Sequence, residues 1–190
     1  MLRAACKEAA SWAQPLPVAV NLSPVQFQNP KLVESITAAL AATGLPPERL
    51  EVEITEGALL NDTDAVLTAL NALRAMGVRI SMDDFGTGYS SLSYLQKFPF
   101  TKIKIDQSFV RRMGEDPESR AIVRAVAALG ASLGMTTTAE GVETAEQMAQ
   151  IRAEGCTDAQ GYLMGRPMPA ADAAALTAAP FPNSVVENAA

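Results

Sequence analysis

Apolar positions recur along the chain at two spacings, one typical of helices and one typical of strands. Leu32, Ile36 and Leu40 lie on one face of a predicted helix, and Gly44 after them suits the left-handed conformation that ends many helices. The short apolar run LEVEIT follows at once and predicts a strand. Because this order of helix, glycine and strand repeats over most of the chain, we predict a series of βα units.

Polar residues mark where the other predicted helices begin. Asp62 or Asp64 precedes the helical pattern AVLTALNALRAM, and Asp116 with the following proline opens a longer one. Thr144 and Gln147 have the spacing of a capping box, in which each side chain bonds to the backbone of the other residue. These signals predict helices between successive strands.

Six strands are predicted between these helices. Strands joined by helical connections form parallel sheets, either open or closed into a barrel. The alanine-rich segment from Ala170 predicts a last helix and a frayed end within residues 170–190, and no second domain fits the remaining length. The predicted strands are VAVNLS, LEVEIT, VRISM, KIKID, MTTTAE and DAQGYL.

Polar side chains recur toward the C-terminal ends of these strands. Alternation places Glu51 and Glu53 on the face opposite the apolar residues of their strand, and it does the same for Lys102, Lys104 and Asp106. Strand ends and the loops after them line one mouth of a βα barrel, so we expect these groups to converge there. Taken alone, Glu51 or Lys102 is equally compatible with a solvated side chain. The polar groups at strand ends are Asn21, Glu53, Asp83, Asp84, Lys104, Glu140 and Gln160.

Composition narrows the chemistry of such a site. The 190 residues include no histidine, which removes the commonest general base and the commonest zinc ligand together. The net charge of −6 disfavours a nucleic-acid polymer as partner. Cys6 and Cys156 lie far apart in sequence and are interpreted as small hydrophobic residues in a reducing compartment. No apolar stretch approaches the roughly 20 residues of a membrane-spanning helix, so we expect a cytoplasmic domain.

Asp83 and Asp84 indicate a metal site, because adjacent carboxylates would repel each other in a shared pocket. Two Mg²⁺ or Mn²⁺ ions about 3.5–4 Å apart would remove that repulsion, and Asn21 would add an amide oxygen. Lys104 could orient an attacking water or offset phosphate charge, and Glu140 could bind metal or accept a proton. The following FGTGYSS is compatible with an ordinary turn, but its position favours a gating role.

Six segments, in this order and at these separations, resemble the EAL domain of bacterial cyclic di-GMP phosphodiesterases. The resemblance covers residues 1–169 and implies a TIM-like (β/α) barrel that hydrolyses cyclic di-GMP to linear pGpG. It also implies Mg²⁺ or Mn²⁺, two ions per site, as cofactor, and a homodimer. The segments are VNLSP, EVEITE, MDDFGTGYSSLSYL, KIKIDQSFV, TTAEGVET and DAQGYLMGRPMP.

The resemblance assigns roles to individual residues. Lys104 corresponds to the family's catalytic lysine, and Glu140 takes part in catalysis as well as metal binding. Glu56 corresponds to the glutamate that anchors the loop after the paired aspartates and links metal binding to the dimer interface. Glu143 and Gln160 correspond to supporting positions near the second metal and its water, with Asp106 as a further supporting residue. The implied metal ligands are Asn21, Glu53, Asp83, Asp84 and Glu140.

One departure from the family pattern affects these expectations. The Glu-Ala-Leu signature is absent from the 190 residues, and TEGALL at 55–60 is a different motif. An eightfold barrel takes about 250 residues, so we expect six of eight strands and a domain without its first βα portion. We therefore expect activity from the intact domain rather than from these residues alone.

Three other functions are compatible with the sequence. A non-catalytic receptor for cyclic di-GMP, or an interaction module, would explain the absent glutamate ligand. The intact pair Asp83 and Asp84, with Lys104, favours an enzyme, since a receptor has no need of them. From the residues without the resemblance, a magnesium-dependent hydrolase of another phosphoester is also possible.

Overall fold

Six parallel strands form one sheet in the order β1 to β6, so strands consecutive in sequence are neighbours. At least one helix connects each pair of strands, because parallel neighbours need a crossover connection. The strands are β1 Val18–Asn21, β2 Leu50–Thr55, β3 Arg79–Phe85, β4 Lys102–Ile105, β5 Thr136–Glu140 and β6 Asp158–Gln160.

This computed structural model describes residues 1–59, 63–88 and 92–178. Asp62, the last three residues of FGTGYSS and the predicted frayed end after Ala178 lie outside the described residues. The helices are α1 Leu2–Ser11, α2 Pro24–Phe27, α3 Leu32–Thr43, α4 Glu56–Leu59, α5 Thr63–Ala75, α6 Leu92–Lys97, α7 Gln107–Arg112, α8 Pro117–Ser132, α9 Ala145–Ala153 and α10 Ala170–Ala178, and a 3₁₀ turn covers Pro47–Arg49.

Three of the capping signals in the sequence form as predicted, whereas Asp64 lies inside the first turn of α5 and does not precede it. Gly44 ends α3 with a left-handed φ of 69°. The side chain of Asp116 accepts hydrogen bonds from backbone N–H groups in the first turn of α8. Both halves of the Thr144 and Gln147 capping box are present at the start of α9. The short helices α2, α4, α6 and α7 were not predicted, because each has fewer than two turns and shows little periodicity.

The two faces of the sheet differ in chemistry, as the alternation predicts. Val52 and Ile54 of β2, and Ile103 and Ile105 of β4, are fully buried in the hydrophobic core beneath the helices. α8 approaches this face closely at Gly130, where an added Cβ would lie 2.5 Å from a side-chain carbon of β5. The opposite face carries the charged side chains and forms the inside of the curved sheet.

The curvature of the sheet is that of an incomplete barrel. Lys102 at the start of β4 reaches carboxylates on both β2 and β6, which a flat sheet would hold too far apart. Within the described residues β1 and β6 do not pair with each other, so the barrel is open between them. This confirms a TIM-like barrel with six strands. In the described part of the chain, no helix combines the length and apolar character needed to cross a bilayer.

Candidate active site

Lys104 lies at the centre of a cluster of carboxylates on the inner face of the sheet. Its Nζ atom is 2.7 Å from Glu140, 2.8 Å from Asp83 and 3.0 Å from Glu53. These acids come from β5, β3 and β2, so the curvature of the sheet brings three strands onto one ammonium. The side chain of Lys104 is only 5% exposed, and those of its three partners are at most 16% exposed, so solvent reaches these contacts little.

A bulge in β3 places the two adjacent aspartates in this cluster. Between Met82 and Phe85 the register with β4 shifts, so that Asp83 and Asp84 together lie opposite the single residue Lys104. Asp84 adopts a left-handed φ of 55°, the one positive φ of a non-glycine residue in the described chain. In a regular strand neighbouring side chains point to opposite faces, so the bulge is what makes a shared site possible.

The resulting geometry fits a divalent cation. Asp83, Asp84 and Glu140 each offer a carboxylate oxygen, and these oxygens lie within 4.8 Å of one another. All three are hard oxygen donors, which suit Mg²⁺ or Mn²⁺ better than softer metals. Burial of several acids together also favours a bound cation, because it offsets their mutual repulsion.

The cluster holds several carboxylates but only one ammonium, and both burial and this excess of negative charge shift the pKa values of its members. Burial raises the pKa of Glu53 and of Glu140 above the ordinary value, although the hydrogen bond from Lys104 partly offsets the effect. Burial, followed by repulsion from Asp83, raises the pKa of Asp84. For Lys104, burial alone would lower the pKa, but hydrogen bonds with Asp83, Glu140 and Glu53 raise it above its ordinary value.

Asn21 and Gln160 flank the cluster on neighbouring strands. Asn21 ends β1 in register with Glu53, and Gln160 ends β6 in register with Glu140. Both are exposed at the rim of the sheet. An open cavity of about 570 Å³ on the inner face is lined by Glu53, Lys104 and Gln160 among others. The structure thus brings both amides to the edge of the site predicted from the sequence.

Glu56 lies behind the segment that follows the paired aspartates. This buried residue begins α4, and its Oε1 accepts a hydrogen bond of 3.2 Å from the backbone N–H of Gly86. At Gly88, an added Cβ would lie 2.8 Å from Oε2 of Glu56, so the chain passes very close to this carboxylate. Glu56 therefore holds the described start of the loop against the end of β2.

Asp106 and Glu143 lie at the margin of the site. Asp106 caps α7, since its carboxylate accepts a 2.9 Å hydrogen bond from the backbone N–H of Ser108, and its charge contributes to the raised pKa of Asp84. Glu143 lies 3.2 Å from Arg111 and lines a small cleft of about 220 Å³ beside Glu140. Neither residue is among the three acids that form ion pairs with Lys104.

Two features of the site were missed by sequence reasoning. Arg111 on α7 pairs with Glu143, and nothing in the spacing of these residues signals a contact across 32 positions. Glu51 is buried and paired with Lys102 at 3.2 Å, so of the two alternatives left open for Glu51 the structure excludes a solvated side chain. The alternation pattern, which placed both on the inner face, was the signal that could have identified this pair.

Comparisons of this chain with known proteins agree on one family. A model of the EAL domain matches residues 1–167. The bifunctional diguanylate cyclase/cyclic di-GMP phosphodiesterase MucR of Pseudomonas aeruginosa is 48% identical over 153 residues, 80% of this chain and 22% of MucR. The cyclic di-GMP phosphodiesterase RocR of the same organism is 44% identical over 163 residues, 86% of this chain and 42% of RocR.

Solved structures of related proteins have the same fold. The MucR phosphodiesterase in complex with cyclic di-GMP has a TM-score of 0.86 and 44% identity, covering 90% of this chain and 71% of that chain. Klebsiella pneumoniae BlrP1 in complex with manganese and cyclic di-GMP has a TM-score of 0.81 and 35% identity, covering 87% of this chain and 42% of the BlrP1 chain. The chain spans only 21% or 22% of the length of three curated relatives that it matches, MucR among them.

Proposed function

Because the chain belongs to the EAL domain family, we propose that the intact domain hydrolyses cyclic di-GMP to linear pGpG with a divalent metal ion. Relatives named as cyclic di-GMP phosphodiesterases, and a related structure that contains manganese with the dinucleotide, support the substrate and the metal. The proposal concerns the domain, since the chain spans a small part of several relatives.

The observation that carries the proposal is the meeting of four acids around one lysine. Asp83, Asp84 and Glu140 place carboxylate oxygens within 4.8 Å of one another, and Lys104 contacts two of these acids. Glu53 joins the cluster through Lys104, and Asn21 lies beside Glu53 in the sheet. We assign these five oxygen-bearing residues as the candidate ligands of one or two Mg²⁺ or Mn²⁺ ions.

When bound, the metal would supply positive charge and Lewis acidity to the phosphodiester. The three N–H donors of Lys104 are taken by Glu53, Asp83 and Glu140. If these acids bind a cation instead, Lys104 can donate a hydrogen bond to a phosphate oxygen or to the attacking water. Glu140 would accept the proton of that water, since burial raises its pKa toward the range useful for a base. Water would then add to phosphorus as one P–O ester bond breaks, and the departing ribose oxygen would take up a proton to become a hydroxyl group.

Gln160 and Glu143 would support this arrangement from the rim. Both line the small cleft beside Glu140, where an amide and a carboxylate can hold water in place. The hydrogen bond between Glu56 and Gly86 would keep the loop start close to the site, and we propose that this loop links it to a homodimer interface in the cytoplasm. Asp106 would act mainly by capping α7 and adding negative charge near Asp84.

The test of the proposed function is hydrolysis of cyclic di-GMP by the purified intact domain with Mn²⁺ or Mg²⁺, followed by chromatography of the nucleotides. We expect pGpG to form and Asp83→Asn to reduce its rate at least about 100-fold, because that carboxylate contacts both Lys104 and the candidate metal position. Asp64→Asn is the matched control, since the side chain of Asp64 is 95% exposed and remote from the cluster.

Binding gives the contrasting outcome. If the intact domain binds cyclic di-GMP without hydrolysing it, and Asp83→Asn leaves that binding unchanged, the domain acts as a receptor and the enzymatic proposal is wrong. If the intact domain neither binds nor hydrolyses cyclic di-GMP with either metal, both the enzymatic function and the receptor function are wrong.

A further inference from the structure

A second charged cluster lies one layer below the Lys104 cluster, toward the N-terminal ends of the strands. Lys102 Nζ is 3.2 Å from Oε2 of Glu51 and 3.8 Å from Oδ2 of Asp158. We call Glu51, Lys102 and Asp158 the lower layer. Its residues come from β2, β4 and β6.

Each member of the lower layer precedes a candidate site residue by two positions on the same strand. Glu51 precedes Glu53, Lys102 precedes Lys104, and Asp158 precedes Gln160 in the sequence. Residues two apart on a strand point to the same face, about 7 Å apart along it. A displacement of one strand that moves the lower layer therefore moves the site residue above it by a similar amount.

The lower layer spans strands that share no hydrogen bonds. β2 and β4 are separated by β3, and β4 and β6 are separated by β5. Strands two apart lie about 9–10 Å from each other, so backbone pairing alone does not set the distance across the curved inner face. The contacts of Lys102 act directly across both gaps.

The side chains beneath these contacts are small and buried. Ser81 of β3 is fully buried and Thr138 of β5 is 5% exposed, and neither hydroxyl has a hydrogen-bond partner among the described residues. Ser81 is in register with both Glu53 and Lys102, and Thr138 with both Lys104 and Asp158. Larger residues there would prevent Lys102 from reaching across, so the sheet is built to permit these contacts.

Burial strengthens the ion pairs of the lower layer, so that they can fix the distances between the strands. The side chain of Glu51 is 6% exposed and that of Lys102 is 20% exposed, so their attraction is only weakly screened. Asp158 is 50% exposed and farther from Lys102, so its contribution is smaller. The contacts of Lys102 thus hold β2 firmly to β4 and hold β6 less tightly.

We infer that the lower layer positions the candidate metal site, with Lys102 as the positioning residue. It fixes the distance between β2 and β4, and so the position of the candidate ligand Glu53 relative to Asp83 and Glu140. Residues that orient the direct ligands of a metal typically change its affinity 10–100-fold when they are removed. The inference rests on the proposed function only in requiring that the acids of the Lys104 cluster bind a divalent ion.

The experiment measures the dissociation constant of Mn²⁺ by titration calorimetry without nucleotide, together with the thermal midpoint. We expect Lys102→Met to weaken Mn²⁺ binding about 10-fold, and Lys102→Arg to restore it to within about 3-fold of wild type, because arginine keeps the charge and the reach. Glu51→Gln should resemble Lys102→Met, and Asp158→Asn should have a smaller effect. The electron paramagnetic resonance linewidth of bound Mn²⁺ should broaden in Lys102→Met, which reports a disordered ligand set.

Glu154→Gln is the matched control for loss of stability. Glu154 is buried and binds Arg120 and Arg124 on the helical side of the sheet, away from the inner face. This variant should lower the thermal midpoint and leave Mn²⁺ affinity unchanged. If Lys102→Met behaves in the same way, or if both variants weaken Mn²⁺ binding equally, the lower layer only stabilises the fold and the inference is wrong.

Two further outcomes separate this inference from the proposed function. If wild type binds Mn²⁺ but Lys102→Met, Glu51→Gln and Asp158→Asn bind it equally well, only the positioning role fails. If wild type binds no Mn²⁺, the metal site itself fails and both proposals are wrong. Should Lys102→Met not fold, Glu51→Gln and Asp158→Asn decide the question, and unchanged affinity in both contradicts the inference.

Discussion

The Nζ atom of Lys104 lies 2.7 Å from Oε1 of Glu140, on the neighbouring strand of the sheet. The same ammonium also contacts Glu53 and Asp83, so one positive charge offsets part of the charge of three buried acids. A divalent ion held by the same acids would compete with Lys104 for their oxygens. The ammonium of Lys104 therefore occupies carboxylate oxygens that a bound metal ion would need.

Lys104→Met should destabilise the metal-free protein by about 3 kcal/mol, because removing one member of a buried ionic cluster leaves charge uncompensated. Added Mn²⁺ should stabilise this variant more than wild type, since the metal no longer competes with an ammonium. Urea denaturation with and without Mn²⁺ measures both effects. Lys97→Met is the control, because its pair with Asp64 is 3.7 Å long and exposed, and we expect a change below about 1 kcal/mol. Equal stabilisation of wild type and Lys104→Met by Mn²⁺ would contradict the competition.

Asp84→Gly separates the stability of the bulge from its function. Glycine relieves the strain of the left-handed backbone by about 1–2 kcal/mol and increases the entropy of the unfolded chain by about 0.4–1 kcal/mol. We therefore expect the free energy of unfolding to change by less than about 1 kcal/mol. Mn²⁺ affinity should fall about 10-fold, because a carboxylate of the cluster is lost. Chemical denaturation and calorimetry measure the two quantities.

Asp84→Asn is the companion variant, because it removes the charge and keeps a residue that tolerates the left-handed conformation. It should lose Mn²⁺ affinity as Asp84→Gly does, with stability near that of wild type. Retention of wild-type affinity in both variants would show that Asp84 is not a metal ligand.

Most of the fold could be predicted because its signals are local. Gly44, Asp116 and Thr144 act within one turn of a helix, so their sequence patterns were sufficient to place α3, α8 and α9. β3 is longer than predicted, because it continues through the polar residues Asp83 and Asp84 to Phe85. Two adjacent aspartates do not predict a strand, and only the folded sheet accommodates them. Sequence patterns describe propensity, whereas this extension depends on tertiary contacts.

The site was predicted as a set of residues rather than as a geometry. Alternation placed Glu53 and Lys104 on one face, and both do contact each other there. Alternation also predicts that Asp83 and Asp84 point to opposite faces, and only the bulge with its left-handed residue brings both to one rim. The pair between Arg111 and Glu143 depends on how α7 packs beside the loop after β5, which no local pattern encodes.

Gly130→Ala should destabilise the protein by about 1–3 kcal/mol, although alanine normally favours a helix interior. The reason is contact with the sheet, because the new Cβ would lie 2.5 Å from Cγ2 of Thr137. Gly57→Ala in α4 is the control, since nothing lies within 4 Å of its added Cβ and we expect a small gain. Thermal and urea unfolding measure both variants. A stable Gly130→Ala protein would mean that α8 does not pack this closely on β5.

Glu154→Gln should lower stability in a manner that depends on pH. Hydrogen bonds from Arg124 and Arg120 lower the pKa of Glu154 to about 2, from an ordinary value of 4.5. Because the folded state binds this proton more weakly than the unfolded state, the carboxylate stabilises the fold fully above the unfolded value, and this contribution is lost as pH falls toward about 2. The difference in unfolding free energy between wild type and Glu154→Gln should therefore be largest near pH 7 and shrink between about pH 5 and pH 2. Urea titrations at several pH values measure it, with Glu115→Gln, at an exposed position, as the control. A difference that stays constant down to pH 3 would show that packing of the side chain, rather than its charge, provides the stabilisation.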